Sequence, residues 1–238
     1  MTTPSSKTMY SFFTSLHDLL LPRPCLACGR RLSPGEGVVC SACNLHLPRT
    51  FFWLDAYENT MTRMFWGIMP VEKAAALFFY EPQSAVTNIV YSLKYRGKQD
   101  AGEQMGRMMA LEMKESGFFN GIDLLVPVPL TPGRKRERGF NQSREIAEGL
   151  SLETGIKVKE HLVVRTKFTG SQTAQNAWER RENVKNAFET TKRTNLKGKH
   201  VMLVDDVMTT GATLMSCGGK LVEAGAKVSV VTFGFTAS

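Results

Sequence analysis

Lys197–Phe235 reads KGKHVMLVDDVMTTGATLMSCGGKLVEAGAKVSVVTFGF, and this stretch decides the fold. Val201–Val204 is a short apolar run of the buried-strand type. A Thr/Gly turn follows, and then Leu214, Met215, Leu221 and Val222 recur at the spacing of a helix with one buried side. Gly225 ends that helix, and Val228–Phe235 forms the next strand. Strand, turn, helix and strand make a βαβ unit, which implies a right-handed crossover in a parallel sheet. Cys217 lies on the helix and reads as a buried core thiol.

The turn within this unit carries the chemistry. Backbone N–H groups at a helix start have no intrahelical partner, and the helix dipole adds partial positive charge there. Gly211 permits close backbone approach, and Thr209, Thr210 and Thr213 add hydroxyl donors around Ala212, so the segment can cradle a phosphate. Asp205 and Asp206 repel phosphate, but they can accept hydrogen bonds from the vicinal hydroxyls of a sugar. The combination describes a ribose 5-phosphate. Mg2+ and a pyrophosphate would suit the basic loops at neighbouring strand ends.

Upstream, VEKAAALFFYE reads as a strand, and PQSAVTNIVYSLKYRG as a helix that ends at Gly97. QDAGEQMGRMMALEMKESG is a second helix, with a core stripe of Met105, Met108, Met109 and Met113. IDLLVPVPL is a buried strand, followed by the basic loop TPGRKRERGF. Arg134, Lys135, Arg136 and Arg138 in that loop are either a solvated face or an anion site, because α/β folds collect ligands at the C-terminal ends of strands. FNQSREIAEGLS is the next helix. A strand then runs to Arg165, and a polar Thr/Gln-rich stretch follows it.

Four of the five cysteines lie within CLACGRRLSPGEGVVCSAC, as two C-x2-C pairs eleven residues apart. Such pairs present Cys25, Cys28, Cys40 and Cys43 as a closed tetrahedral thiolate shell, the pattern of structural Zn2+. The rival is a redox pair, which needs a thioredoxin-like strand and helix that the sequence lacks. Residues 48–70 are aromatic-rich. Phe51, Phe52, Trp53, Phe65 and Trp66 fit packing at the junction of knuckle and body, with stacking on bases as the alternative. His46 reads as a surface residue.

With 238 residues and 42% hydrophobic content, the chain supports one medium domain and a small appendage. The expected organisation is an N-terminal amphipathic helix over 1–22, a four-cysteine finger over 23–50 and an α/β domain over 51–238. Thirty Lys+Arg against 22 Asp+Glu, a formal charge of +8, favours polyanionic partners such as nucleic acid or phosphorylated small molecules. No run is long and apolar enough to cross a bilayer, and the N-terminus lacks a signal-peptide pattern, so a cytoplasmic location is expected.

The stretch Val201–Thr213 resembles the phosphoribosyl pyrophosphate (PRPP) signature of type I phosphoribosyltransferases. The wider arrangement resembles the ComF family of competence proteins from about Leu20 onward. The matching segments are the four-cysteine knuckle, KYRG, VPVPLTPGRKRERGFNQ and RTKFTGSQTAQNAWERRENVKNAF, and the matched positions include Gly139, Phe140, Asn141, Gln142, Gln172 and Asn183. The resemblance implies a type I phosphoribosyltransferase-like parallel sheet flanked by helices, with a zinc-binding N-terminus. Asp205 and Asp206 would hold ribose hydroxyls, and Thr209 through Thr213 the 5-phosphate. The turn after LLVPVPL would hold pyrophosphate with Mg2+, and the segment after Arg165 would form a hood over the site. It also implies handling of single-stranded DNA during natural transformation.

Two functions follow. As a DNA-handling protein, the chain would contact backbone phosphates through Lys94, Arg96, Arg134, Lys135, Arg136 and Arg138. As a phosphoribosyltransferase of unstated acceptor, it would use Arg165 and Lys167 on the departing pyrophosphate. A third reading makes the knuckle a platform for a DNA-uptake helicase. Glutamine-dependent ammonia transfer is not expected, because Thr2 follows the initiator and the first cysteine, Cys25, is assigned to zinc.

Overall fold

The computed structural model describes residues 23–95, 99–166, 187–191 and 195–237. The expected helix over 1–22, the segment 167–186 with Lys167, Gln172 and Asn183, and Arg96 lie outside the described residues. The main sheet holds β1 (Ala74–Phe79), β2 (Leu124–Pro127), β3 (Lys157–Val158), β6 (His200–Met208) and β7 (Lys227–Phe235). Its order is β1-β7-β6-β2-β3, and every neighbouring pair is parallel. The connection from β2 leads outward to β3, while that from β6 leads the opposite way to β7. The crevice between the C-terminal ends of β2 and β6 is therefore a topological switch point, where open α/β sheets bind ligands.

Helices cover both faces. The first two are α1 (Ser41–His46) and α2 (Thr60–Arg63), and then come α3 (Ala85–Tyr95) and α4 (Gln99–Met113). The later ones are α5 (Pro132–Arg138), α6 (Gln142–Thr154) and α7 (Ala212–Glu223). Alternation along β6 feeds two clusters: Met202 and Val204 pack with Ile89, Leu93, Met105 and Ile146, whereas Val201 and Leu203 pack with Leu214, Cys217 and Leu221. Met105, Met109 and Met113 are buried, as their spacing predicts, and so is Cys217. Helices α4 and α6 meet through glycines. A Cβ added at Gly106 would lie 2.0 Å from the Ile146 carbonyl oxygen, and one at Gly149 would lie 2.0 Å from that of Glu103.

Two expectations need correction, and the strand expected up to Arg165 is present but pairs elsewhere. The first strand of the βαβ unit does not stop at Val204; β6 stays paired with β7 as far as Met208, so both acids ride on the strand. The basic segment after β2 is not a loop but α5. Thr131 caps it by accepting from the Arg134 N–H, Pro132 occupies its first turn, and Gly139 ends it with φ of 81°. The strand that ends at Arg165, β4 (Val163–Arg165), is not in the main sheet; it pairs antiparallel with β5 (Phe188–Thr190).

The knuckle is docked rather than tethered. Leu26, Leu32, Val38 and Val39 share a cluster with Val86 and Val90 of α3. The linker after it runs antiparallel to β1: Thr50 N–H donates to the Leu77 carbonyl and Phe79 N–H to that of Pro48. Arg49 clamps this linker to α4 with two bonds of 2.6 Å to Glu112. Trp53 and Phe65 are buried and Phe52 packs edge-on against Phe79 and Phe235, while Phe51 and Trp66 are more than half exposed.

Candidate functional site

The switch-point crevice holds a cleft of about 250 Å³. Asp205, Asp206, Thr209 and Thr213 line it from β6 and the turn that follows, and Ser143 from the start of α6. Lys94 enters from the end of α3, Arg134 and Arg138 from α5, and Arg165 from β4. A smaller hollow of about 60 Å³ adjoins it, enclosed by Asp205 and Met208–Leu214. This second hollow is the cup. Gly211, at φ of 74°, is the N-cap of α7, supplies no side-chain cap and lines the hollow together with the first residues of the helix, whose amides lack intrahelical partners. A Cβ at Gly211 would lie 2.7 Å from the Met208 methyl carbon and 3.1 Å from that of Met215. Thr209, Thr210, Gly211, Ala212 and Thr213 are thus gathered around one phosphate-sized space, with the acids beside it.

Strand alternation sends Asp205 and Asp206 to opposite faces of the sheet, and the cleft wraps the strand end so that both line it. Asp205 Oδ1 accepts from Ser143 Oγ at 2.8 Å and from the Asp206 N–H at 2.9 Å. Burial, reinforced by the neighbouring Asp206 charge, pushes the Asp205 carboxyl up to about 7, against the pull of Ser143 and Lys94. Asp206 Oδ2 pairs with Lys94 Nζ at 2.7 Å. Burial and the nearby Arg134 charge lower the Arg165 guanidinium from its usual value. Arg165 also lies 5.2 Å from the Phe188 ring centroid, which holds it between the cleft and β5.

The described basic residues expected to contact DNA backbone phosphates divide into three groups. Arg134 and Arg138, one helical turn apart, face the cleft. Lys135 faces a second groove of about 520 Å³, shared with Asn141, Arg144, His161 and Arg165. Arg136 is exposed and lines neither hollow. Lys94 is occupied by Asp206 inside the cleft. Sequence reasoning missed Ser143 and Tyr80, which also lines the cleft. Ser143 had a readable cue, since a hydroxyl in the first turn of a helix that follows a strand end sits where ligands gather.

At the other end of the molecule, the sulfurs of Cys25, Cys28, Cys40 and Cys43 all lie within 4.8 Å of one another. Cys28 and Cys40 sulfurs are 3.9 Å apart, close to the ~3.8 Å edge of a tetrahedron built on Zn–S bonds of ~2.3 Å. The Cys40 N–H donates to Cys25 Sγ at 3.3 Å, as outer-sphere amides do toward thiolate ligands. The donor set suits a soft, tetrahedral ion, and the cluster can hold a metal such as Zn2+.

Comparison with known proteins fits this arrangement. The phosphoribosyl transferase domain family matches residues 116–234, which run from ahead of β2 nearly to the end of β7. DNA utilization protein YhgH of Escherichia coli (strain K12) is 28% identical over 218 residues, covering 87% of this chain and 94% of that protein. Competence protein F of Haemophilus influenzae is 31% identical over 140 residues, 57% of this chain and 60% of the relative. Competence protein ComFC of Bacillus subtilis is 34% identical over 110 residues, 46% and 42% of the two chains. Among solved structures, glutamine PRPP amidotransferase from B. subtilis superposes with a TM-score of 0.40 at 25% identity, over 57% of this chain and 26% of that one. Purine phosphoribosyltransferase from Pyrococcus horikoshii gives 0.35 at 16% identity, over 57% and 76%. With its parallel sheet, its N-terminal cysteine cluster and a family match over half its length, the chain belongs to the phosphoribosyl transferase domain family, as a ComF-type member.

Proposed function

We propose that the protein binds PRPP, or a closely related phosphoribosyl compound, together with Mg2+, and couples that site to the handling of single-stranded DNA in the cytoplasm. One observation carries the ligand reading: a carboxylate pair and four cationic side chains border one cleft, and the Thr209–Thr213 turn encloses a smaller hollow beside it. The residues fit the group. The cup takes the 5-phosphate, and Asp205 and Asp206 accept from the ribose hydroxyls. Arg134, Arg138 and Arg165 face the pyrophosphate. Mg2+ would supply charge neutralisation across the pyrophosphate oxygens.

The names of the relatives, DNA utilization and competence proteins, support the DNA role. The groove beside the cleft, lined by Lys135 and Arg165 and by Arg144 with its partners Glu145 and Glu160, is the surface we assign to the strand. The cysteine cluster holds Zn2+ as a structural ion in this reading. The groove at its edge, where Leu45, Phe51 and Leu54 are more than half exposed, is offered to a protein partner such as a DNA-uptake helicase.

Calorimetry with PRPP and Mg2+ tests the site. Binding by the wild type and loss of binding in Asp205→Asn/Asp206→Asn is the expected result; no binding by the wild type refutes it. A short single strand should bind at low salt and release steeply as salt rises, and absence of binding at low salt ends the DNA assignment. The second reading, an active phosphoribosyltransferase, is favoured by the same cations around the place where pyrophosphate would leave. Release of pyrophosphate with a candidate acceptor would establish it.

A further inference from the structure

The two acids are alike in sequence and unlike in their surroundings. The hydrogen bonds recorded for Asp205 come from neutral donors, the Ser143 hydroxyl and a backbone amide. Asp206 accepts from the Val207 N–H on Oδ1 at 2.7 Å and in addition meets the Lys94 ammonium on Oδ2 at 2.7 Å, with the Asp206 and Lys94 side chains only 13% and 23% exposed. Lys94 stands in the last turn of α3, on the face of the sheet to which alternation sends Asp206. An ion pair so enclosed differs from a surface salt bridge: taking two charges out of water costs several kcal/mol, and close contact must offset it. The arrangement spends that energy on one acid and leaves the other to hydroxyl chemistry.

Building on the phosphosugar reading above, we infer that Lys94 is a specificity-determining residue. By pairing with Asp206 it holds that carboxylate turned into the cleft, so the protein selects a sugar by its vicinal hydroxyls and not by its phosphate alone. A carboxylate retains lone pairs beyond the one that Lys94 occupies, so it can accept from a hydroxyl while the pair persists. Among the described residues, Arg134 and Arg138 from α5, Arg165 from β4, Tyr80 just after β1 and Cys217 from α7 are the other charged or titratable groups around the acids. None of the three arginines is a substitute for Lys94, because they stand on α5 and β4 and not on α3, which packs on the Asp206 face of the sheet.

The experiment compares wild type, Lys94→Met and Lys94→Arg by titration with ribose 5-phosphate and with inorganic phosphate. Lys94→Met should weaken ribose 5-phosphate about tenfold or more, leave phosphate affinity within about twofold, and be partly rescued in Lys94→Arg. Equal losses for both probes would make Lys94 a phosphate ligand and overturn the inference, as would no change at all. A measurement without ligand runs beside it: denaturant unfolding at pH 5.5 and pH 8. With its counter-ion removed, the acid pair repels as it ionises, so the stability gap between Lys94→Met and wild type should widen with pH. A gap independent of pH overturns the inference even if ribose 5-phosphate fails to bind the wild type, a failure that would instead retire the phosphosugar reading.

Discussion

Replacing Asp205 with asparagine should stabilise the unliganded protein, and do so increasingly as pH rises. The folded cleft moves the Asp205 carboxyl from 3.8 to about 7, because burial and the adjacent Asp206 oppose its ionisation. A carboxyl raised in this way favours folding in its protonated form. That contribution is complete below the unfolded value, near pH 4, and is lost as pH climbs through about 7. The whole displacement corresponds to about 4 kcal/mol, and more than half of it is lost between pH 5 and pH 8. Asparagine carries no proton to lose, and its Oδ1 can still accept from Ser143 and from the Asp206 N–H. Chemical denaturation of both proteins across that range reads the effect directly. For a chain of this length the gap at pH 8 should exceed the gap at pH 5 by about 5–10 °C in melting temperature. Parallel stability curves would refute the reasoning, because they would show Asp205 ionising in the fold as freely as in the unfolded chain. The same variant should bind ribose 5-phosphate poorly, so activity and stability would trade against each other at one carboxyl.

Three further outcomes follow from other parts of the molecule. Gly211→Ala puts a methyl against the Met208 and Met215 side chains at a positive φ, so ribose 5-phosphate affinity should fall at least about tenfold while the melting temperature moves by only a few degrees, as calorimetry on the same sample would show. Gly106→Ala drives a methyl into the Ile146 carbonyl, where only backbone can yield. It should cost about 3 kcal/mol or more in a denaturant titration, whereas Gly133→Ala, which meets nothing, should cost less than about 1 kcal/mol. Metal analysis should find one zinc per chain, and Cys25→Ser or a strong chelator should remove it and lower the unfolding midpoint markedly, since binding to such a site is folding free energy.

Much of the site was legible because its chemistry is local. The acids, the threonines and Gly211 stand within nine consecutive positions, and the cysteines pair by short spacing, so one turn of chain presents each set. Residues whose roles depend on distant partners were not readable in the same way. Lys94 looks like any lysine near the end of an amphipathic helix; only the packing of α3 beside β6 brings it to Asp206. Gly102, Gly106 and Gly149 show no purpose until α4 and α6 are crossed. The basic run was read as a loop because its charges outweighed its punctuation, although Thr131, Pro132 and Gly139 are the cap, first-turn and stop residues of a short helix. The end of β6 was placed too early for a related reason. Acids suggest the close of a strand, yet here the ladder to β7 continues beneath them because their side chains leave through the crevice.

The linker that lies along β1 has a consequence for anyone who would isolate the phosphoribosyl transferase domain. Pro48–Thr50 saturates amides and carbonyls that β1 would otherwise offer to solvent. A fragment begun after Thr50 would carry a raw sheet margin, six mostly apolar residues long and open to recruitment by its neighbours. Such a fragment should self-associate on purification even though every residue that lines the cleft is present, which makes the cysteine-bearing arm a guard for solubility as well as a candidate metal holder.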